Sequence, residues 1–298
     1  MLRSGNRSAL HPPPKFRAAA GAAAKAASVE LTFLGTRGEI AGRSRRHRRH
    51  SALLIEHAHA RIMIDCGADW LGRAAAIAPT AIVLTHAHPD HAAGLAHGAP
   101  CPVYATDETL QLLRHYPIRD RRRMPIEKSI AIGGLKFKAY PVQHSIRAPA
   151  VGYRVTSKAG CFFYLPDVAK LPHVADALRG VDLYIGDGAT MRRSMVRAKH
   201  GTLIGHAAMT GQLDWCAQAG LRRAIFTHCG SPIVRGDVRK LSATIRKLGR
   251  ERGLDARLAH DGERLRFPAT DRRKKSRSSK ASQTRASASA RQEESLAS

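Results

Sequence analysis

Apolar and polar positions along the chain fall into short blocks, most of them strand-like. VELTFLG (29–35) alternates and stops at Gly35. SALLIEH (51–57) and RIMIDCG (61–67) lie a few residues apart, as the two arms of a hairpin do. AIVLTH (81–86) is an unbroken apolar run ending in histidine, the pattern of a strand buried on both faces. Residues 102–106, 135–142, 151–157, 161–167, 181–187 and 223–229 continue the strand series. The pattern predicts helices near 107–115, over 171–180 with Gly180 as a C-cap, over 210–221, and over 238–253, the last basic and amphipathic. No internal repeat of fixed period is present. Strands and helices alternate in both halves, which places the chain in the α/β (α+β) class with buried sheets.

With 298 residues, 43% of them hydrophobic, the chain is long enough to bury a large core. Its two ends do not join that core. Residues 1–28 are Pro-, Ala- and Arg-rich without a hydrophobic period, and residues 269–298 are a basic Ser/Lys/Arg stretch. Neither could bury enough apolar surface to offset chain entropy, so both are expected to be disordered around a domain at 29–268. No apolar run approaches the length of about 18 residues that a membrane span needs. The Ala-rich stretch 18–27, broken by Gly21 and Lys25, is a poor secretion signal. Five cysteines, an odd number without a CxxC, point to reduced thiols and a cytoplasmic location.

Charge changes the picture. Fifty Lys+Arg against 23 Asp+Glu give a net +27, and removing the +5 carried by each end still leaves +17 on the body. Such an excess favours an anionic partner or substrate.

The densest chemistry is Thr85-His86-Ala87-His88-Pro89-Asp90-His91, directly after a buried strand. Four potential ligands lie within six residues, and imidazole and carboxylate are donors that zinc, manganese and iron accept. On a loop turning into a helix, His86 and His88 can face one way and Asp90 and His91 another, so one segment could serve two metals. His144, Asp167, Asp187 and His228 each follow a predicted strand, and His206 sits in LIGHAAMT. Strand-terminal loops at one sheet edge are where α/β proteins build sites. A lone histidine of this kind is more often a cap or a surface residue; the HAHPDH cluster raises the odds for the others.

HAHPDH resembles the HxHxDH signature of the metallo-β-lactamase superfamily, and the likeness extends over roughly 29–267. FLGTRG (33–38) and IDCG (64–67) resemble its opening turns, HSIRAPAVGYRV (144–155) the segment seen in ribonuclease Z-like members, YLPD (164–167) the bridging-aspartate motif, FTHCG (226–230) the last histidine motif, and AHDG (259–262) the closing hairpin. The resemblance implies a four-layer αββα sandwich with two divalent ions, zinc by preference and manganese or iron as alternatives. His86, His88 and His144 would hold one ion, and Asp90, His91 and His228 the other. Asp167 would bridge them with a water or hydroxide. It also implies that His206 is the proton donor to the leaving group, with Asp187 orienting it and Asp90 close to the reaction. IGDGATM (185–191) departs from the family's His-Glu-Ala-Thr segment, with Asp187-Gly188 where His-Glu would stand.

Arg45, Arg46, Arg48 and Arg49, in the loop before SALLIEH, would in such a fold border the metal edge and pair phosphate oxygens. A second cluster, Arg119 to Arg123, fits either a groove wall or a plain surface turn. The favoured reading is a dinuclear phosphodiesterase, ribonuclease-like in type. Its substrate would be a phosphate-bearing small molecule or single-stranded nucleic acid, because 152–167 is too short for a tRNA-binding arm and no other insertion looks arm-like. Two alternatives stay open: a thioesterase, lactonase or β-lactamase-like carbonyl hydrolase, and a nucleic-acid-binding protein with a vestigial metal site. No membrane partner is expected, and a homodimer is the assembly to test.

Overall fold

The structure, a computed structural model, describes residues 28–267. The expectations for the two chain ends lie outside that range, Ser28 apart. Strands β1 (Val29–Gly35), β2 (Ala52–His57), β3 (Ala60–Ile64), β4 (Ala81–Val83), β5 (Val103–Ala105) and β6 (Arg121–Arg123) run in order across a first sheet. The last strand, β16 (Arg264–Phe267), pairs on the outer side of β1. The second sheet holds β7 (Ser129–Ile132), β8 (Leu135–Val142), β9 (Ala150–Thr156), β10 (Cys161–Tyr164), β11 (Leu183–Asp187), β14 (Arg223–Thr227) and β15 (Asp255–Leu258) in the order 15-14-11-10-9-8-7. A small separate hairpin is formed by β12 (Arg197–Lys199) and β13 (Thr202–Ile204).

Side chains alternate across the strands, and in the central strands of both sheets both faces are buried. Leu31, Phe33, Ile62 and Ile64 of the first sheet pack between the sheets with Phe137, Tyr153, Phe162, Tyr164 and Ile185 of the second. The intervening residues point outward. Met63 and Ile82 meet Trp70, Leu95 and Leu113, while Phe163, Tyr184 and Phe226 meet Leu213, Ile245 and Leu248. The outer layers are the helices α1 (Pro89–Ala92) and α2 (Asp107–Leu112) with three 3-10 turns on one side. On the other lie α3 (Val174–Leu178), α4 (Met209–Gln218), α5 (Ser231–Val234) and α6 (Val238–Arg250). This is the αββα sandwich. No helix among the described residues is long and apolar enough to cross a membrane. All five cysteines are free.

Differences from the sequence pattern are local. The 161–167 run leaves the sheet at Tyr164, and the helix expected over 171–180 begins only at Val174, after His173 takes a left-handed φ of 53°. Of Arg119 to Arg123, Arg122 lines a pocket formed with His57, Tyr104 and Gly133, and none lines the cleft at the strand ends. Arg121–Arg123 are the edge strand β6, and their charges are used locally. The Arg121 guanidinium donates to the carbonyls of Leu110, Leu113 and Tyr116, closing the end of α2. Arg122 pairs with Asp120, and Arg123 with Asp107.

The loop from Thr36 to His50 is held from behind by two carboxylates. Asp261 accepts from the backbone N–H of Arg48 at 2.9 Å and of Arg49 at 3.1 Å, and from the Thr36 hydroxyl at 2.7 Å. With its proton so used, Thr36 accepts from His47 Nδ1 at 2.8 Å. Asp69 accepts from the His50 N–H at 2.9 Å and from the guanidinium groups of Arg37 and Arg43. Burial, with the Arg46 charge nearby, pushes His47 down to about 4. Its neutral form is therefore the folded form, and protonation becomes costly once the pH drops below the unfolded value near 6.5. Between pH 7 and pH 5 the wild type is expected to lose more stability than His47→Gln, by on the order of 1 kcal/mol. Denaturant melts at both pH values check this, and parallel losses would remove His47 from the acid response.

Candidate metal centre

The site lies at the edge where strands of both sheets end. His86 follows β4, His144 follows β8, Asp167 follows β10, Asp187 ends β11 and His228 follows β14. Asp90 and His91 sit in α1, which starts at Pro89, a residue that suits the first helical position. The chain brings these side chains together. His88 Nδ1 lies 3.0 Å from His86 Nε2 and 3.4 Å from His144 Nε2. Asp90, His91, Asp167 and His228 form a second group, again with ligand atoms within 4.8 Å of one another.

Asp167 stands between the two groups. Its Oδ2 is 2.6 Å from His91 Nε2 and 3.8 Å from His86 Nε2. Its Oδ1 is 3.3 Å from His228 Nδ1 and 3.9 Å from His144 Nε2. Yet both carboxylate oxygens, His91 Nε2 and His228 Nδ1 are buried without a hydrogen bond. A folded protein rarely leaves four such atoms converging on one point, and metal coordination satisfies them all. The imidazole and carboxylate donor set fits divalent zinc, manganese or iron.

Protonation of the first histidine group is consistent with ligation. In the second, burial is outweighed by the carboxylates of Asp90, Asp65 and Asp167, which push His91 up, and by those of Asp167 and Asp90, which push His228 up, so a metal binding there would displace protons. Burial, reinforced by the neighbouring His91, holds His86 well below the ordinary histidine range. Burial together with the His144 charge takes His88 down to about 4. Burial lowers His144 too. These three rings are neutral at neutral pH and keep a lone pair for a metal. Burial works against a charged Asp167, but the surrounding His228, His144 and His91 outweigh it and hold the carboxyl well below its usual range.

Asp65 has no assigned role in the sequence reading, although the IDCG turn stands out there. The structure places its Oδ2 at 2.9 Å from His91 Nδ1, and its Oδ1 accepts from the Thr85 N–H at 2.8 Å. By occupying Nδ1 it aims Nε2 of His91 at Asp167. Its backbone is left-handed, with φ 63°. The turn can come this close because position 67 is glycine: a Cβ there would lie 1.9 Å from the carbonyl oxygen of Asp90. Asp65→Ala is expected to weaken metal affinity by roughly 10–100-fold, the usual effect of removing a partner that orients a ligating histidine. Competition against a chromogenic chelator measures it; unchanged affinity in a folded variant would show that His91 needs no such partner.

His206 lies between β13 and α4, and its Nδ1 is 2.8 Å from Asp187 Oδ2. Asp187 is itself fixed by the N–H groups of Val168 at 3.1 Å and Ala189 at 2.8 Å. Gln212, which the sequence pattern hides among the buried positions of α4, brackets the backbone of Asp187 with two further hydrogen bonds. Burial disfavours a charged His206, but the Asp187 carboxylate outweighs it and pushes the ring up to about 9. The Asp187-Gly188 departure has a steric reason: a Cβ at 188 would lie 2.4 Å from the Thr227 carbonyl oxygen.

A cleft of about 490 Å³ opens onto these groups, with Gly38, Glu39 and Ile40, Met195 and Gly230 to Pro232 completing its wall. Arg45, Arg46, Arg48 and Arg49 are not in that wall. Only the first residues of their loop border the metal edge, because Asp261 and Asp69 fold the rest back. Arg48 and Arg49 instead line a separate pocket of about 310 Å³ with Arg43 and Arg73. Arg45 lines another with Arg48, Arg49 and Asp261.

Comparison with known proteins agrees with the geometry. The family described as the beta-lactamase superfamily domain matches residues 60–229, a stretch that contains every candidate ligand. A curated ribonuclease Z from Methanopyrus kandleri is 30% identical over 142 residues. That match takes in 42% of this chain and 49% of the relative, so the chain spans about half the length of the curated relative it matches. Among solved structures, a diphosphatase of the PhnP family superposes with TM-score 0.61 at 24% identity, covering 80% of this chain and 97% of the other. The metallo-beta-lactamase fold protein YhfI from Bacillus subtilis superposes with TM-score 0.63 at 16% identity, covering 80% and 99%. Zinc-bound PqqB from Methylobacterium extorquens gives TM-score 0.59 at 19% identity, covering 79% and 99%. With the HAHPDH cluster, the strand-end ligands and the sandwich all in place, the chain belongs to the metallo-β-lactamase superfamily.

Proposed function

We propose that the protein is a dinuclear metal-dependent hydrolase acting on a phosphodiester. The observation that carries this reading is Asp167, whose two buried oxygens make no hydrogen bond and face two separate groups of ligands. His86, His88 and His144 would hold one ion, Asp90, His91 and His228 the second, with Asp167 shared and zinc the first choice. Ions bound there would acidify water and draw charge from the phosphate oxygens. The ribonuclease Z relative supports a phosphate ester over a lactam or thioester.

The chain's own part in turnover is positioning and proton delivery. Asp187 occupies Nδ1 of His206, so Nε2 is the nitrogen left to serve the cleft that His206 lines. Held in one orientation and protonated, the ring can give its Nε2 proton to the departing alkoxide. Gly38, Ile40 and Met195 limit what enters. Protein purified without chelator should carry about two ions per chain and cleave bis(p-nitrophenyl) phosphate faster than p-nitrophenyl acetate or a chromogenic lactam. A preference for either carbonyl substrate would replace this reading by a carbonyl hydrolase.

A further inference from the structure

Five guanidinium groups gather beside the metal cleft around one carboxylate. Arg43, Arg48, Arg49 and Arg73 surround the 310 Å³ pocket, and buried Arg37 lies beneath it against Asp69. Asp69 is 11% exposed and already engaged by Arg37, Arg43 and the His50 N–H. The guanidinium groups of Arg48, Arg49 and Arg73 form no ion pair with a carboxylate among the described residues. Arg49 is set over the Trp70 ring at 4.9 Å, which holds its planar face in place. The backbone beneath Arg48 and Arg49 is pinned by Asp261. This is a cationic pocket in which Arg49 is fixed by the ring and the others reach in from the surface, and guanidinium groups pair phosphate oxygens bidentately.

Its position decides what it would read. The pocket and the metal cleft have separate walls, so one phosphate cannot occupy both. They are joined by a short span: Ile40 lines the cleft, and Arg43 lines the arginine pocket three residues later. At about 3.3–3.6 Å per extended residue, the Cα atoms of Ile40 and Arg43 are roughly 10 Å apart at most, so the two walls adjoin. A second basic stretch starts from the cleft wall at Met195, whose neighbours Arg193 and Arg197 are exposed and lack an acidic partner among the described residues. Charge therefore continues away from the reacting centre along two segments of its wall.

We infer that the pocket formed by Arg43, Arg48, Arg49 and Arg73 binds a second phosphate of the substrate, the one carried by a neighbouring nucleotide of a single-stranded oligonucleotide whose scissile phosphate lies in the metal cleft. The inference rests on the phosphodiesterase reading above and adds the substrate class.

The test compares the full-length, metal-loaded protein with an Arg48→Ala/Arg49→Ala/Arg73→Ala variant. Two substrates are used: bis(p-nitrophenyl) phosphate, with one phosphate, and a fluorescent eight-nucleotide single-stranded RNA. The ratio of kcat/KM for RNA to that for the small diester should fall at least tenfold in the variant. Anisotropy binding of the RNA, measured in the metal-free protein, should lose about 0.7 from the slope of log K against log salt, the value for one phosphate contact on a single strand. An unchanged ratio with an unchanged slope overturns the inference. So does a wild type that cleaves the small diester but neither cleaves nor binds the RNA; a doubly phosphorylated small ester sensitive to the variant would then identify a small substrate. If neither diester is cleaved, the phosphodiesterase reading fails, and the salt slope alone still decides whether the pocket holds an oligonucleotide phosphate.

Discussion

Asp167→Ala is expected to reduce diester hydrolysis by at least a thousandfold and to lower the metal content of the purified protein. The carboxylate lies within 4 Å of both histidine groups, reaching His86 and His144 on one side and His91 and His228 on the other. Removing it leaves those buried rings converging without their shared negative charge, the arrangement least able to retain two divalent cations. Charge stabilisation by the ions is worth several kcal/mol, and each 1.36 kcal/mol is a factor of ten in rate. Elemental analysis beside turnover of bis(p-nitrophenyl) phosphate checks both halves. A variant that keeps two ions and its rate would show that Asp167 bridges nothing.

His206→Ala is the second large effect, and it should depend on the leaving group. For a diester that releases an alkoxide, kcat should drop by about 10²–10³, the range of a well-placed general acid. For one that releases p-nitrophenolate, a weak base needing no proton, the loss should be within tenfold. Asp187→Asn should show the same dependence in milder form. The double variant should be hardly worse than His206→Ala alone, since the two residues act as one unit through their 2.8 Å contact. A uniform loss across leaving groups, or one that tracks metal content, would instead give His206 a structural role.

Most of the architecture can be read from the order of residues because the sandwich buries both faces of its sheets. Runs such as AIVLTH and CFFYL carry no polar alternation, and the structure shows why: Phe162 and Tyr164 fill the space between the sheets while Phe163 packs outward under helices. The ligand cluster after β4 is legible for a different reason, its density. Short edge elements are not legible. Arg121–Arg123 carries three like charges and becomes a strand only because β5 offers it a free edge. The β12–β13 hairpin, where no arm-like insertion is expected, is three residues on each side, with the single pair Ala198 and Leu203 as its apolar face. The fold alone puts the arginine loop at the metal edge, but only Gly38 to Ile40 enter the cleft wall while Arg48 and Arg49 line the pocket beside it. What turns it aside is Asp261, some 210 residues away in the chain, and no local pattern announces such a contact. Asp65 was visible as part of a turn, but its partner His91 is again a matter of tertiary geometry.

The division between strand ends and connecting loops has an evolutionary consequence. Every candidate ligand is anchored near the end of a core strand or in the turn and short helix after β4, whereas the arginine pocket and the basic hairpin belong to connectors that meet the ligands only at their roots, at Gly38 against His228 and at Gly205 on His144. Descendants of this chain can lengthen, shorten or recharge the outer parts of those connectors while the roots keep the reactive centre in place. Selectivity and reactivity are thus heritable as separate modules, and new substrates can be sampled while the old chemistry keeps running.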